Sequence, residues 1–338
     1  MRATAIGSLP GEDFRGAVAE MAETFPDLVP MPEQPGRGPG AGIIGRATGV
    51  LEELPVDLGP GGWRLSDSGD AAARAARSCW RRDLDDLEET LAGAPATVKI
   101  AVCGPLTLAA GLHLRHGEAV LADPGALREV AQSLAAGTAS LLAELGRRMP
   151  QVRWVWQIDE PAAPSVLAGA VPTQSGLHRY RPMEPAVAIG VAAPAVEAAR
   201  EAGAARTAWH SCAPQIPWEL LRRIGIDDAL VDLSALGSAD LDRCAEWLES
   251  ESPQGRPQGR LGLGAVPTGV PDTVLDADRI VDRVVEFARR IGVDRRLIVE
   301  RGLLTPACGL TTWSLPAAAR QCRQLARAAE LADEALLG

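Results

Sequence analysis

Strand-like and helix-like stretches alternate along almost the whole chain, and this alternation narrows the possible folds more than any other feature. Short runs rich in apolar and β-branched residues occur at Thr4–Leu9, Asp27–Pro32, Thr97–Cys103, Val152–Ile158, Arg206–His210, Ala229–Leu233, Arg260–Ala265 and Arg296–Val299. Stretches with apolar residues at helical spacing separate or follow them: Phe14–Glu23, Ala71–Ala92, Pro124–Arg148, Val191–Ala202, Ile216–Ile224, Ser238–Glu249, Ala277–Ile291 and Leu315–Leu336. Asp123 before Pro124 is a helix-start signal, because an aspartate can cap the first free amides and proline fits the first turn. Strand–helix alternation implies a parallel sheet, since each helix carries the chain back to start the next strand in the same direction. Eight such units in 338 residues predict one α/β domain spanning residues 1–338, a single (β/α)8 TIM barrel with extended loops at the C-terminal face of its strands.

Three segments interrupt the pattern. Gln34–Gly42 is too rich in glycine and proline for regular structure and reads as a loop over the barrel mouth. Glu160–Pro185 is a long connection holding the only tyrosine, Tyr180; long loops in compact domains are commonly functional or mobile. Ser252–Gly259 reads as a solvated turn.

Composition excludes several classes of function. A formal net charge of −10 disfavours nucleic acid and anionic membrane surfaces as partners. The opening residues lack the apolar core of a signal peptide, and the best apolar run, AVAIGVAAPAV, is too short to span a bilayer. The six cysteines spread from Cys79 to Cys322 and do not form a secreted disulfide framework. A cytoplasmic location is expected.

Barrel enzymes place their chemistry at the C-terminal ends of the strands. Here those ends read IGSLPG, PMPE, VCGPLT, WQIDEP, WHSC and VDLS, and the last run leads into ERGLLTPACGL. In an extended segment residues i and i+2 share a face, so His210 and Cys212 can aim at one point, and Cys308 can supply a third ligand. Imidazole and thiolate suit a soft cation such as zinc. The alternative is that Cys212 and Cys308 are small buried apolar residues. Cys103 can line the same face, whereas Cys79, Cys244 and Cys322 fall on helices. Trp154 and Trp156 alternate in one strand and read as packing residues. Arg301 is a candidate anion ligand or a partner of Glu300. His113 and His116 can contact a donor or lie on a solvated helix face.

The ordered set Ile6-Gly7-Ser8-Leu9-Pro10, Gly104-Pro105-Leu106-Thr107, Gln157-Ile158-Asp159-Glu160-Pro161, His210-Ser211-Cys212 and Cys308-Gly309-Leu310 resembles the catalytic half of cobalamin-independent methionine synthase. That family lies within a superfamily that also contains uroporphyrinogen decarboxylase. The resemblance implies zinc-dependent methyl transfer to a thiol, homocysteine, giving methionine. It implies Zn2+ held by His210, Cys212 and Cys308, with Asp232 standing where the family has a glutamate ligand. Aspartate is one methylene shorter, so Asp232 either ligates from a closer backbone or caps its strand. Ser8 is implied to hold the substrate carboxylate, and Asp159 its amino group, with Glu33 a second such carboxylate. Asp159 and His210 are the implied catalytic pair. Read without the family, Ser8 is a turn residue before Pro10, and Asp159 and Glu160 have a helix-start or surface role before Pro161.

The methyl donor is implied to be a methyl-folate or a methyl-corrinoid, free or protein-bound. After Gly104-Pro105-Leu106-Thr107 the chain lacks the tryptophan found near that place in folate users. The full-length family enzyme also has an N-terminal half that this sequence does not contain. The remaining readings are a zinc-dependent alkyltransferase for another thiol or donor, a noncatalytic metal- or metabolite-binding barrel, and a metal-free decarboxylase-like enzyme.

Overall fold

The computed structural model describes residues 1–250 and 259–338. The expected solvated turn at Ser252–Gly259 lies outside the described residues except for Gly259. In chain order the elements begin β1 (Arg2–Ala3), α1 (Phe14–Thr24), β2 (Val29–Pro30), α2 (Ile43–Thr48), β3 (Val56–Gly59), β4 (Gly62–Leu65) and α3 (Ala71–Leu91). They continue β5 (Ala96–Cys103), α4 (Pro105–Gly111), α5 (Pro124–Arg148), β6 (Val152–Asp159), α6 (Ala163–Leu167), α7 (Pro185–Glu201), β7 (Arg206–Ser211) and α8 (Trp218–Ile224). The last are β8 (Asp228–Asp232), α9 (Ser238–Glu249), β9 (Arg260–Val266), α10 (Ala277–Ile291), α11 (Arg295–Arg301), β10 (Gly302–Pro306) and α12 (Leu315–Leu337).

Eight strands form one sheet in the order β1-β10-β9-β8-β7-β6-β5-β2, and every pair in it is parallel. The expected α/β architecture with a parallel sheet is therefore present. No ladder joins the edge strands β1 and β2. The segments just beyond them meet at one parallel bridge, Ser8 with Glu33, where Glu33 N–H donates to Gly7 O at 2.9 Å and Leu9 N–H to Glu33 O at 2.8 Å.

Local chemistry accounts for the helix starts. Asp13, Asp70, Asp123, Asp276 and Asp294 each turn a side-chain oxygen onto a free amide of the helix that follows. Such caps contribute about 1 kcal/mol each. On α3 the buried residues Ala73, Ala76, Trp80, Leu84, Leu87 and Leu91 recur every three or four positions and form the stripe that packs inward. Six residues from different strands and their extensions, Ile6, Leu28, Val155, Ala208, Leu230 and Leu303, make a small cluster separate from the main core. They alternate with residues packed in the main core, so they mark the concave face of the curled sheet.

Three expectations are corrected. Arg296–Val299 is not the last strand: it lies in α11, started by Asp294 and followed by β10 at Gly302–Pro306. A four-residue apolar run fits one helical turn as well as a strand, and only Ile298 of this helix is buried. Thr4–Leu9 is mostly beyond β1, because Gly7 takes a φ of 151° and the chain bends toward Pro10. The helix expected at Val191–Ala202 starts earlier, at Pro185, and continues through Pro194. Gln34–Gly42 holds two short 3-10 turns at Pro35–Arg37 and Pro39–Ala41, and Glu160–Pro185 includes α6. The antiparallel hairpin β3–β4 was not anticipated. Among the described residues no helix is long and apolar enough to cross a membrane.

Candidate metal and substrate site

Sheet register creates the first contact of the site. Asp159, the last residue of β6, is paired with His210 on β7, so their side chains leave the same face at the same height. His210 Nδ1 lies 3.0 Å from Asp159 Oδ1, and its Nε2 lies 3.3 Å from the carbonyl of Ala307. Both residues are buried. Burial alone lowers the pKa of His210, but the hydrogen bond and charge of Asp159 outweigh it, and the net shift is upward.

Cys212 follows the end of β7 and Cys308 follows β10. The Cys308 thiol donates to the Cys212 sulfur across 3.1 Å. That hydrogen bond is the largest influence holding Cys212 down at about 6, burial opposes it, and His210 adds to it; the Cys308 thiol is correspondingly pushed up. The ligand atoms of His210, Cys212 and Cys308 all lie within 4.8 Å of one another. One imidazole nitrogen and two sulfurs, with a thiolate favoured at one of them, form a donor set that fits a borderline-soft cation such as zinc.

Asp232 is not in this group. It ends β8 and its Oδ1 accepts from Ser234 N–H at 2.7 Å, the arrangement of a strand cap. Its charge still reaches Cys212, where it acts to raise the thiol pKa.

Ser8 and Glu33 meet at the bridge that joins the sheet edges. Ser8 Oγ donates to Glu33 Oε2 at 2.9 Å. Leu310 N–H donates to Ser8 O at 2.8 Å, which brings this turn against the Cys308 segment. Gly309 permits the approach, since a Cβ there would stand 2.7 Å from Ser8 Cβ. Burial raises Glu33 to about 7, with Asp159 adding to the rise and Arg46, Ser8 and Lys99 opposing it. Arg46 Nε is 3.4 Å from Glu33 Oε1. The same guanidinium pairs with buried Asp83 at 2.6 Å and lies 3.7 Å from the centre of the Trp80 ring. Arg37, from the Gln34–Gly42 loop, pairs with the other Asp83 oxygen at 2.6 Å, so one carboxylate ties the loop to α3 beside the site.

Several contributors were missed from the sequence. Lys99 and Gln157 sit inside the sheet below Asp159 and are 1% and 0% exposed. Glu160, next to Asp159, turns to α4 and accepts from Leu106 N–H at 2.8 Å and Thr107 N–H at 2.6 Å. Burial nevertheless lifts it to about 7. Its approach requires Gly104, where any Cβ would collide with the Glu160 carboxyl. A lysine in an otherwise apolar strand was the available signal for the Lys99 network.

The remaining candidates lie elsewhere or act structurally. Cys103 is buried and paired with Asp159, and burial pushes its thiol up, aided by Glu160 and Asp159. Arg301 closes α11 before β10 begins and donates to Leu248 O and Ser250 O at 2.5 and 3.2 Å. His113 is past the end of α4; its backbone pairs with Trp63 and Leu65 of the hairpin, and its Nδ1 is 3.0 Å from Gly117 O. Cys79, Cys244 and Cys322 are buried on helices, and Trp154 and Trp156 are buried packing residues.

The whole architecture is similar to that of a B12-independent methionine synthase from Shewanella sp. W3-18-1, solved in complex with selenomethionine. The TM-score is 0.60 at 15% identity, over 99% of this chain and 98% of that one. At that identity the likeness concerns the fold. No curated protein sequence matches the chain. The family model described as cobalamin-independent synthase, catalytic domain, matches residues 78–331, a stretch that contains Asp159, His210, Cys212 and Cys308. The chain belongs to the family of cobalamin-independent synthase catalytic domains.

Proposed function

We propose that this protein is a zinc-dependent methyltransferase that moves a methyl group to a thiol, with homocysteine as the leading acceptor and methionine as the product. The observation that carries this reading is the convergence of His210, Cys212 and Cys308 within 4.8 Å at the C-terminal side of the sheet, in a chain of this family. We further read residues 1–338 as one domain and the curled sheet as a (β/α)8 barrel whose edges meet at Ser8 and Glu33, working in the cytoplasm.

His210, Cys212 and Cys308 would hold the zinc, with Asp232 as a fourth ligand if its side chain turns from Ser234. Bound zinc supplies acidity to a thiol, so that the sulfur is available as a thiolate near neutral pH. The chain's own residues do the rest. Asp159 uses Oδ1 on His210, which leaves Oδ2 for the ammonium of an amino-acid acceptor. Glu33 offers a second carboxylate on the same face, and Ser8 Oγ is a donor for the substrate carboxylate. Holding both ends of the acceptor fixes its sulfur in one place, so that a methyl group can be presented in line at near-attack distance. The donor is a methyl-folate or a methyl-corrinoid, free or protein-bound.

A second reading, a zinc-dependent alkyltransferase for another thiol or donor, is favoured by one observation: Asp232 caps its own strand and stands outside the three-donor group. The test is the metal content of purified wild type and His210→Ala by elemental mass spectrometry, followed by methionine formation from homocysteine with methyltetrahydrofolate or methylcobalamin. About one zinc per chain, lost in the variant, together with methionine formation supports the first reading. Zinc with turnover of a different thiol supports the second. A protein that takes up no zinc refutes both.

A further inference from the structure

Lys99 lies on β5 with its side chain inside the sheet, and its ammonium has donors only. It donates to Ile6 O at 2.6 Å and to Gln157 Oε1 at 2.5 Å. The Gln157 oxygen must therefore face the lysine, which turns its two amide hydrogens the other way. They reach Ile6 O at 3.1 Å and Asp159 Oδ1 at 2.7 Å. The same Oδ1 faces His210 Nδ1. An ionised carboxylate only accepts, so His210 presents a proton on Nδ1, and Nε2, which lies 3.3 Å from the Ala307 carbonyl, is the ring nitrogen left for a cation that would take the place of that contact.

We propose that Lys99 is a positioning residue for the metal centre, acting through Gln157 and Asp159 to fix which nitrogen of His210 faces the cation and to leave Asp159 Oδ2 toward the substrate. The inference rests on the zinc-site reading above and adds residues that touch neither the metal nor the substrate. Donor polarity runs one way through the series, from the ammonium to the amide oxygen and from the amide nitrogen to the carboxylate, and no group in it can reverse without leaving a buried donor facing a donor. Burial pulls Lys99 down to about 8, while Asp159 and Glu33 hold it up, so it remains an ammonium at neutral pH. A packing role alone does not account for the arrangement, because a methionine would fill the same space without setting the amide. The shared acceptor, Ile6 O, also lies two residues before Ser8, so the lysine anchors the turn that carries the other substrate-facing group.

The test uses the full chain. Zinc affinity is measured by competition with a chromogenic chelator for wild type, Lys99→Met and Lys99→Gln, alongside thermal unfolding. Ring 15N NMR of histidine-labelled protein reports the protonated nitrogen, and only four histidines need assigning. Lys99→Met is expected to weaken zinc binding by roughly 10- to 100-fold, as loss of an outer hydrogen-bond partner does, and to erase the Nδ1–H preference of His210. Lys99→Gln can still donate to Gln157 and is expected to recover most of the affinity. Wild-type zinc affinity in a folded Lys99→Met protein overturns the proposal. Should Lys99→Met not fold, Gln157→Met takes its place, with the same loss expected and the same outcome fatal. If the wild type binds no zinc, the functional reading fails by itself. The NMR comparison, at a pH where the ring is neutral, then decides: an Nδ1–H form lost in the variant supports the positioning role, and an unchanged ring rejects it.

Discussion

The sulfur of Cys308 lies 3.1 Å from that of Cys212 and donates its proton there, although 96 residues separate the two in sequence. The contact favours the thiolate at Cys212, so a cation held there would meet one sulfur inclined to be a thiolate and would displace the thiol proton of the other. Replacing Cys308 by serine removes a soft ligand, while its hydroxyl can still donate to the Cys212 sulfur. Zinc affinity is expected to fall by more than the ~100-fold typical of an outer partner. Chelator competition checks this, and unchanged occupancy would rule out Cys308 as a ligand.

Asp159→Asn should separate acceptor binding from metal binding. The asparagine oxygen can still accept from His210, so zinc should stay, while the loss of charge facing an ammonium should weaken methionine binding by about tenfold or more. Calorimetric titration of zinc-loaded wild type and variant with methionine is the measurement, and equal affinities would remove Asp159 from the substrate site.

Glu33 is expected to make acceptor binding depend on pH. Its folded pKa is raised from 4.5 to about 7, chiefly by burial, so below that pH it is a neutral acid. An ammonium prefers the ionised form, so methionine affinity should rise with pH up to about 7 and level off above it. Glu33→Gln should bind more weakly and lose this dependence. Folding carries the opposite sign: the raised pKa contributes stability below about 4.5 that is lost as pH rises through 7.

Asp83 is fully buried between Arg37 and Arg46. Asp83→Ala leaves a buried guanidinium without its partner, which costs about 3–5 kcal/mol when a buried pair is broken. Denaturant unfolding should show the loss, together with greater protease sensitivity in the Gln34–Gly42 loop. A cost below 1 kcal/mol would mean that water replaces the carboxylate.

Gly309→Ala places a Cβ 2.7 Å from Ser8 Cβ and 3.2 Å from Ser8 O. The Ser8 turn has to move, at a cost of roughly 1–3 kcal/mol, and KM for the acceptor should rise more than kcat falls. Kinetics matching the wild type would show that the turn gives way without affecting the substrate.

The parts of this molecule that could be read from sequence are those where a repeated physical pattern spans many residues. Helices such as Pro124–Arg148 and Ala277–Ile291 were legible to the residue because an aspartate cap precedes a sustained apolar stripe. His210 and Cys212 were legible because residues i and i+2 of an extended segment share a face, and Cys212 lies one residue past the end of β7. The last strand was misplaced because Leu297–Val299 and Leu303–Leu304 are equally apolar, and only a cap and a glycine tell them apart. Asp232 fits a family position in sequence, but its short side chain reaches a backbone amide two residues on before it reaches a sulfur. The Lys99, Gln157 and Arg46 networks could not be read, since each depends on a partner at least 37 residues away, as in Arg46 with Asp83, Lys99 with Gln157 and Gln157 with Ile6.

The bridge between Ser8 and Glu33 gives the site a mechanical role. If Ser8 and Glu33 hold the acceptor as proposed, the seam of the sheet and the clasp for the acceptor are the same few residues, and a ligand gripped there would also fasten the two margins of the sheet. Filling and emptying the site should therefore register as a tightening and slackening of the two sheet edges, with amides on β1 and β2 exchanging more slowly when methionine is bound.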